Sequence, residues 1–238
     1  MRYTIFTIIV LLVAAFGWSA AKKTTRKNEP HFEVRAINFD SIKGITRDAN
    51  ASTYYPRLMQ MFRENDTTRM SFREYRFLYY GYVFQEDYNP YRTSEFSEKI
   101  EDLYYKKNFT RAECDSIEKY ADLTLHDNVF DLSQMKFYAF ALGERGKIHR
   151  SKVWQYRLKH IIAAILSSGN GTKEQPWIVI SPDHEYNIVN FLGFTATDHQ
   201  DMGDGIDFIA IKKRTDKDPD GFYFDVNKMN EITAVKFK

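Results

Sequence analysis

Apolar positions recur with a helical period from about residue 52 to residue 166 and with a strand-like period beyond it. In "STYYPRLMQMF", Tyr55, Leu58, Met59 and Phe62 fall on one helix face, with Ser52 as the predicted N-cap and Pro56 in the first turn. Ser71 with Glu74 makes a capping box, and Met70 and Tyr75 occupy the hydrophobic-staple positions around it. Ser94 opens a third predicted helix, with Phe96, Ile100, Leu103 and Tyr104 turned inward. Thr110 with Glu113 repeats the capping box ahead of Cys114, Ile117, Tyr120 and Ala121. Asp131 with Gln134 caps a fifth helix, which Gly146 ends. A sixth, near Arg150 to Leu166, carries Trp154, Leu158, Ile161, Ile162 and Ile165 and stops at Ser168-Gly169.

Alternate helix starts are offset by about 40 residues, which suggests stacked helix pairs of the solenoid type. "AFALGERGK" resembles the end of a tetratricopeptide helix, although the spacing is too irregular for a repeat family. At "SSGNGT" the pattern changes. "PWIVIS" is β-rich, "EYNIVNFLGF" is ambiguous, and "GIDFIAIKK" alternates Ile206, Phe208 and Ala210 against Asp207, Ile209 and Ile211. Asp220-Gly221 signals a turn before a last strand, "GFYFDV". Such a sheet is too small to bury itself. The expected fold is therefore α+β: an array of about six helices with TPR-like packing, and a small C-terminal antiparallel sheet packed on it. The expected boundaries are a signal peptide at 1–21, a polar tether and lead-in at 22–50, a helical region at 51–168 and a β-rich region at 169–238 forming one unit with the helices.

The stretch "SFREYRFLYYGYVFQEDYNPY" holds nine Phe and Tyr side chains in twenty-one positions. On a helical wheel, Phe72, Tyr75, Leu78, Tyr79, Tyr82 and Val83 form one broad apolar face. Phe77, Tyr80 and Phe84 form a smaller aromatic face on the side of Arg73 and Arg76. A helix apolar on two sides is sandwiched between neighbours. Core packing is the expectation, and Arg73, Arg76, Phe77, Tyr80 and Phe84 are the candidate ligand-binding residues.

The N-terminus changes the picture of where the protein works. Arg2 precedes an uncharged run from Tyr3, and Ser19-Ala20-Ala21 offers the small residues a signal peptidase needs. Export with cleavage is the expectation, to the periplasm or the extracellular space. Left uncut, the run is long enough to anchor the chain in a membrane. Cys114 is the only cysteine, so no intrachain disulfide can form and stability must come from packing. The net charge of +2 gives no basic stripe for nucleic acid, and no nucleic-acid partner is expected.

Several segments together resemble a known family: "YYPRLMQMFRENDTTRMSFREYRFLYYGYVFQEDYNPY", "LKHIIAAILSSGNGTKEQPWIVISPDHEYNIVNFLGF", "GIDFIAIKK" and "GFYFDV". The family is the domain of unknown function numbered 4919, found in exported Bacteroidota proteins, and the likeness runs from Asp40 to Val226. The resemblance implies export and a shared α+β architecture. It implies no reaction and no catalytic residue.

Candidate chemistry is sparse. Asp216, Asp218 and Asp220 open an EF-hand-like calcium loop, with Gly221 at its turn. Its twelfth position is Asn227 rather than Glu, and a strand follows, so a charged hairpin turn is the expectation, with calcium the alternative there and no cofactor predicted. "DHQDMGDG" gathers Asp198, His199, Asp201 and Asp204 in what reads as a solvated loop without a zinc spacing, while His184 and Glu185, if on a strand, would face opposite sides. No nucleophile elbow or phosphate loop is present. Asp66-Thr67-Thr68 looks like a three-residue O-glycan acceptor in a loop, with Thr67 as the modified residue; Asp40-Ser41-Ile42 and Asp115-Ser116-Ile117 have the same form. The leading function is a non-catalytic interaction or scaffold module of the periplasm or envelope with a protein or glycan partner. The alternatives are carbohydrate binding, given 16% aromatic residues, and an unrecognised hydrolase.

Overall fold

A computed structural model describes residues 34–64, 70–104, 106 and 108–237. The predicted signal segment and Thr67 lie outside the described residues. The fold is α+β, and the chain forms two compact units. One comprises Asn38–Ala164; the other comprises, among described residues, 165–237 with 34–37.

The first unit is helical: α1 (Phe39–Arg47), α2 (Tyr55–Arg63), α3 (Phe72–Gly81), α4 (Glu95–Glu98), α5 (Arg111–Asp127), α6 (Leu132–Glu144) and most of α7 (Ile148–Leu166). Local chemistry sets most of these ends. Glu74 N donates to Ser71 Oγ at 3.3 Å while Ser71 N donates to Glu74 Oε2 at 2.6 Å, completing the capping box of α3. Thr110 and Glu113 do the same for α5, and Asp131 accepts from Gln134 N at the start of α6. Gly146 (φ 71°) closes α6, with Lys147 N donating to Leu142 O at 2.8 Å in a Schellman geometry.

Three readings change. The lead-in before residue 50 contains α1, whose N-cap Asn38 accepts from Ser41 N at 2.8 Å. The cap of α2 is Tyr54 rather than Ser52, two residues later, which places Pro56 at the second helical position, where its missing N–H costs no intrahelical bond. The third predicted helix shrinks to the four residues of α4 and a 3-10 turn at Glu101–Leu103, which leaves Tyr104 at the surface.

In the core of this unit, Tyr75, Leu78, Tyr79 and Tyr80 are fully buried. Tyr75 packs against Phe62 at 6.1 Å, and Tyr79 and Tyr82 reach Phe130 at 5.8 and 5.1 Å, mostly edge to face. Buried Arg157 lies 4.3 Å over Trp154 and donates to Glu64 O at 2.7 Å.

The second unit holds β1 (Trp177–Ile178), α8 (Asp183–Phe191), β2 (Ala196–Asp201), β3 (Ile206–Ile211), β4 (Gly221–Asp225) and α9 (Asn227–Lys236). The sheet order is β1-β4-β3-β2. The antiparallel expectation describes β2, β3 and β4; β1 makes the sheet mixed by running parallel to β4, with Trp177 opposite Phe224. The ambiguous segment is α8, which lies against β3 and β2. The described fold ends with the ten-residue α9, which the sequence pattern did not announce.

"SSGNGT" does more than stop α7. Asn170 N and Gly171 N both donate to Gln175 O, and Tyr223 N donates to Gly171 O at 3.0 Å, so the turn is stitched to β4. Gly171 has φ 74°, and a Cβ there would lie 2.6 Å from the Trp177 indole. A Cβ on Gly146 would meet nothing within 4 Å, although its φ is also positive. Gly146→Ala should therefore cost only the backbone term, about 1 kcal/mol. Gly171→Ala should cost about 3 kcal/mol, from that strain and the collision together. Urea unfolding of the two variants measures the gap; equal costs would contradict the packing around Trp177.

Candidate functional site

The second aromatic face of α3 is divided by its neighbours. Tyr80 is fully buried, meets Phe39 of α1 at 5.9 Å and donates its hydroxyl to Ala164 O at 3.3 Å. Phe84 is half-buried against the same Phe39, with the Lys43 ammonium 5.7 Å above its ring. Arg73 is exposed and stacks over half-buried Phe77 at 5.3 Å, and Arg76 is half-buried. The five residues thus form no single open surface, since α1 covers the middle of the face.

Asp216, Asp218 and Asp220 also go separate ways. Asp218 accepts from the backbone N–H groups of Arg214 and Thr215 at 2.8 Å each, as a turn-capping residue. Asp220 pairs with Lys213 at 2.6 Å, and Asp216 is exposed. Ser116 Oγ donates to Ala112 O inside α5, and Cys114 is buried there, matching a packing role for the thiol.

Two other constellations emerge. The first is a ring cluster on the helical unit. Tyr104 meets Phe137 at 5.1 Å, Phe109 meets Phe137 at 5.6 Å, and Phe109 meets Phe140 at 5.5 Å. Tyr104 and Phe140 are 39% and 44% exposed. Gln134 Nε2 donates to the Tyr104 hydroxyl, which fixes that ring on α6.

The second lies in the other unit, where α8, β2 and β3 bring Glu185, His199 and Asp207 together. On α8, Glu185 shares the inward stripe with Ile188, Val189 and Leu192, all buried, at helical spacing. On β3, Asp207 points to the same side as buried Ile209 and Ile211. His199 of β2 pairs with Ile209, so it stands diagonally beside Asp207 on that face. The ligand atoms of the three lie within 4.8 Å of one another, and they are the one such group of three among the described residues. His199 Nε2 is 3.3 Å from Asp207 Oδ2 and 4.0 Å from Glu185 Oε2.

Glu185 is 1% exposed, and no other group donates to either carboxylate oxygen; the hydrogen bond open to it runs from its own protonated carboxyl to Asp207. Burial, then the nearby Asp207 charge, pushes its carboxyl from the usual 4.5 up to about 9. His199, expected in a solvated loop, sits on strand β2. His184 and Glu185 are both buried because they belong to a helix, where neighbours need not face opposite ways. The overlooked signals were the spacing of Glu185 to Ile188, Val189 and Leu192, and the alternation that groups Asp207 with Ile209 and Ile211.

A carboxyl raised in this way keeps its proton in the folded state while the unfolded chain loses it. Stability should fall as pH rises from about 4.5 toward 9, by up to about 1.4 kcal/mol per pH unit from this group. Glu185→Gln in chelator-treated protein should be increasingly more stable than the parent as pH rises from about 5.5 to 8.5. A stability difference that is flat with pH in urea titrations would show that Glu185 ionises freely.

With this geometry in view, the family model described as Domain of unknown function (DUF4919) matches residues 40–234, and the chain belongs to that family. No curated protein and no solved structure matches it. Among the described residues, no helix is long and apolar enough to cross a membrane.

Proposed function

We propose that this member of the DUF4919 family is a non-catalytic interaction module, exported to the periplasm or cell envelope, whose helical unit engages a protein partner. The observation that carries the reading is the surface cluster of Tyr104, Phe109, Phe137 and Phe140. Aromatic side chains with little conformational freedom are the usual anchors of protein interfaces. Here the rings already brace one another on α6, so ordering them on binding costs little. Their mutual angles of 75°, 67° and 64° give no shared plane on which a flat sugar face could stack across several rings. That favours a protein partner over a glycan. Export is supported by the uncharged run after Arg2 and by Ser19-Ala20-Ala21.

Phe140→Ser and Tyr104→Ser should each cost less than about 1 kcal/mol of stability, because both rings are substantially exposed. Each should reduce recovery of one specific protein from native envelope by about tenfold or more. Val235→Ser, at a 74% exposed position on α9, serves as the matched control and should leave recovery unchanged. Equal recovery by all three variants would sink the reading. Loss of glycan-array binding by Phe140→Ser, with no protein recovered, would replace it by carbohydrate binding.

A further inference from the structure

Glu185 poses a problem of charge that its own unit does not solve. Its carboxylate is buried in an apolar helix stripe, no group donates to either oxygen when it is ionised, and the carboxylates acting on it, Asp207 and Asp183, are negative. Folded proteins rarely leave a buried carboxylate without a donor or a cation. The neighbouring His199 and Asp207 side chains could be explained as a simple ion pair at 3.3 Å. That pair accounts for two residues of the three and leaves Glu185 only its neutral form, hydrogen-bonded to Asp207.

The geometry points to a divalent transition-metal site, with Glu185, His199 and Asp207 each giving one ligand atom to the same ion. An ion held at roughly 2.0–2.2 Å by tetrahedrally arranged ligands has those ligands about 3.4 Å apart. The distance from His199 Nε2 to Asp207 Oδ2 matches that edge at 3.3 Å. The 4.0 Å distance to Glu185 Oε2 closes with a small rotation of the imidazole, which is free to move because its side chain is 42% exposed. The same exposure gives the ion a route in from solvent. Two carboxylates and a neutral imidazole balance a doubly charged cation, so the buried Glu185 gains the counter-charge it lacks.

The mixed donor set selects the metal class. An imidazole beside carboxylates suits Zn2+, Mn2+, Fe2+ or Co2+, whereas Mg2+ and Ca2+ favour shells made of oxygen. Three protein ligands leave at least one coordination position to water. The site is independent of the ring cluster, which belongs to the other compact unit, so either proposal can fail without the other.

The test uses the tag-free chain, stripped with chelator and titrated calorimetrically with Zn2+, Mn2+, Co2+, Mg2+ and Ca2+ in separate runs. The expected result is saturable binding of one equivalent of Zn2+ or another transition ion, with Mg2+ and Ca2+ at least about tenfold weaker. His199→Ala, Asp207→Asn and Glu185→Gln should each weaken that binding by about tenfold or more. His199→Ala removes an exposed side chain, so an unchanged metal-free melting temperature certifies its fold, and zinc should raise the melting temperature of the parent but not of this variant. Absence of stoichiometric transition-metal binding, or binding that persists unchanged in His199→Ala and Asp207→Asn, would overturn the site. Equal affinity for Ca2+ would overturn the assigned metal class.

Discussion

A buried tyrosine brings roughly 150–250 Å² of ring into a core, together with a hydroxyl that must find an acceptor there. The helical unit takes on this constraint repeatedly along α3, where Tyr75, Tyr79 and Tyr80 are all fully buried. One cysteine excludes an intrachain disulfide, so the unit is held by packing, much of it between rings. The consequence is an ordered arrangement around the helix. Phe62 and Phe130 cover one side of α3, Phe39 covers the other, and the Tyr80 hydroxyl is tied to Ala164 O. A helix apolar on two sides requires neighbours on two sides, and α1 exists where the sequence showed only a lead-in because it supplies one of them.

What could be read from the sequence follows from how local each determinant is. Ser71 with Glu74, Thr110 with Glu113 and Asp131 with Gln134 are decided within four residues, and all three caps form where expected. The α+β division was equally legible, because "GIDFIAIKK" and "GFYFDV" alternate with a period of two. The failures are tertiary. The parallel pairing of a two-residue β1 depends on a partner far along the chain. The candidate metal cluster was hidden for the same reason. Glu185 and Asp207 each stand on an inward face, but their meeting with His199 depends on α8 lying over β2 and β3. The aromatic face was the converse case: the helical wheel groups Phe77, Tyr80 and Phe84, yet α3 ends at Gly81, Phe84 lies in the 3-10 turn that follows, and Phe39 packs against both it and Tyr80.

Arg157 and Glu185 show two answers to the same electrostatic cost. Burial lowers the Arg157 guanidinium to about 10, which still leaves it charged near neutral pH. It is held by the Trp154 and Phe62 rings and by the carbonyl oxygens of Arg63 and Glu64, so its charge is distributed over groups that favour a cation. Glu185 has no corresponding donors. It must remain protonated or receive a counter-charge, and the structure around it offers ligands rather than hydrogen-bond donors. A residue kept only for packing at that position would be better served by Leu, which fits the stripe of Ile188, Val189 and Leu192 without the desolvation cost.

The distribution of aromatic residues bears on function in the same comparative way. Within the helical unit most large rings are spent on the core, where an exposed ring contributes nothing to stability. Tyr104 and Phe140 depart from that economy, being packed edge to face with Phe109 and Phe137 yet left substantially in water. Isolated exposed rings are ordinary; two joined through half-buried Phe109 and Phe137 form a surface whose remaining apolar area is removed from water only by another molecule. Their rigidity also separates them from the loop aromatics of adaptable binders, since Gln134 fixes Tyr104 and α6 carries both Phe137 and Phe140. A rigid, non-coplanar ring surface on a helical scaffold matches a partner with shaped apolar side chains, which is a property of proteins more than of sugars.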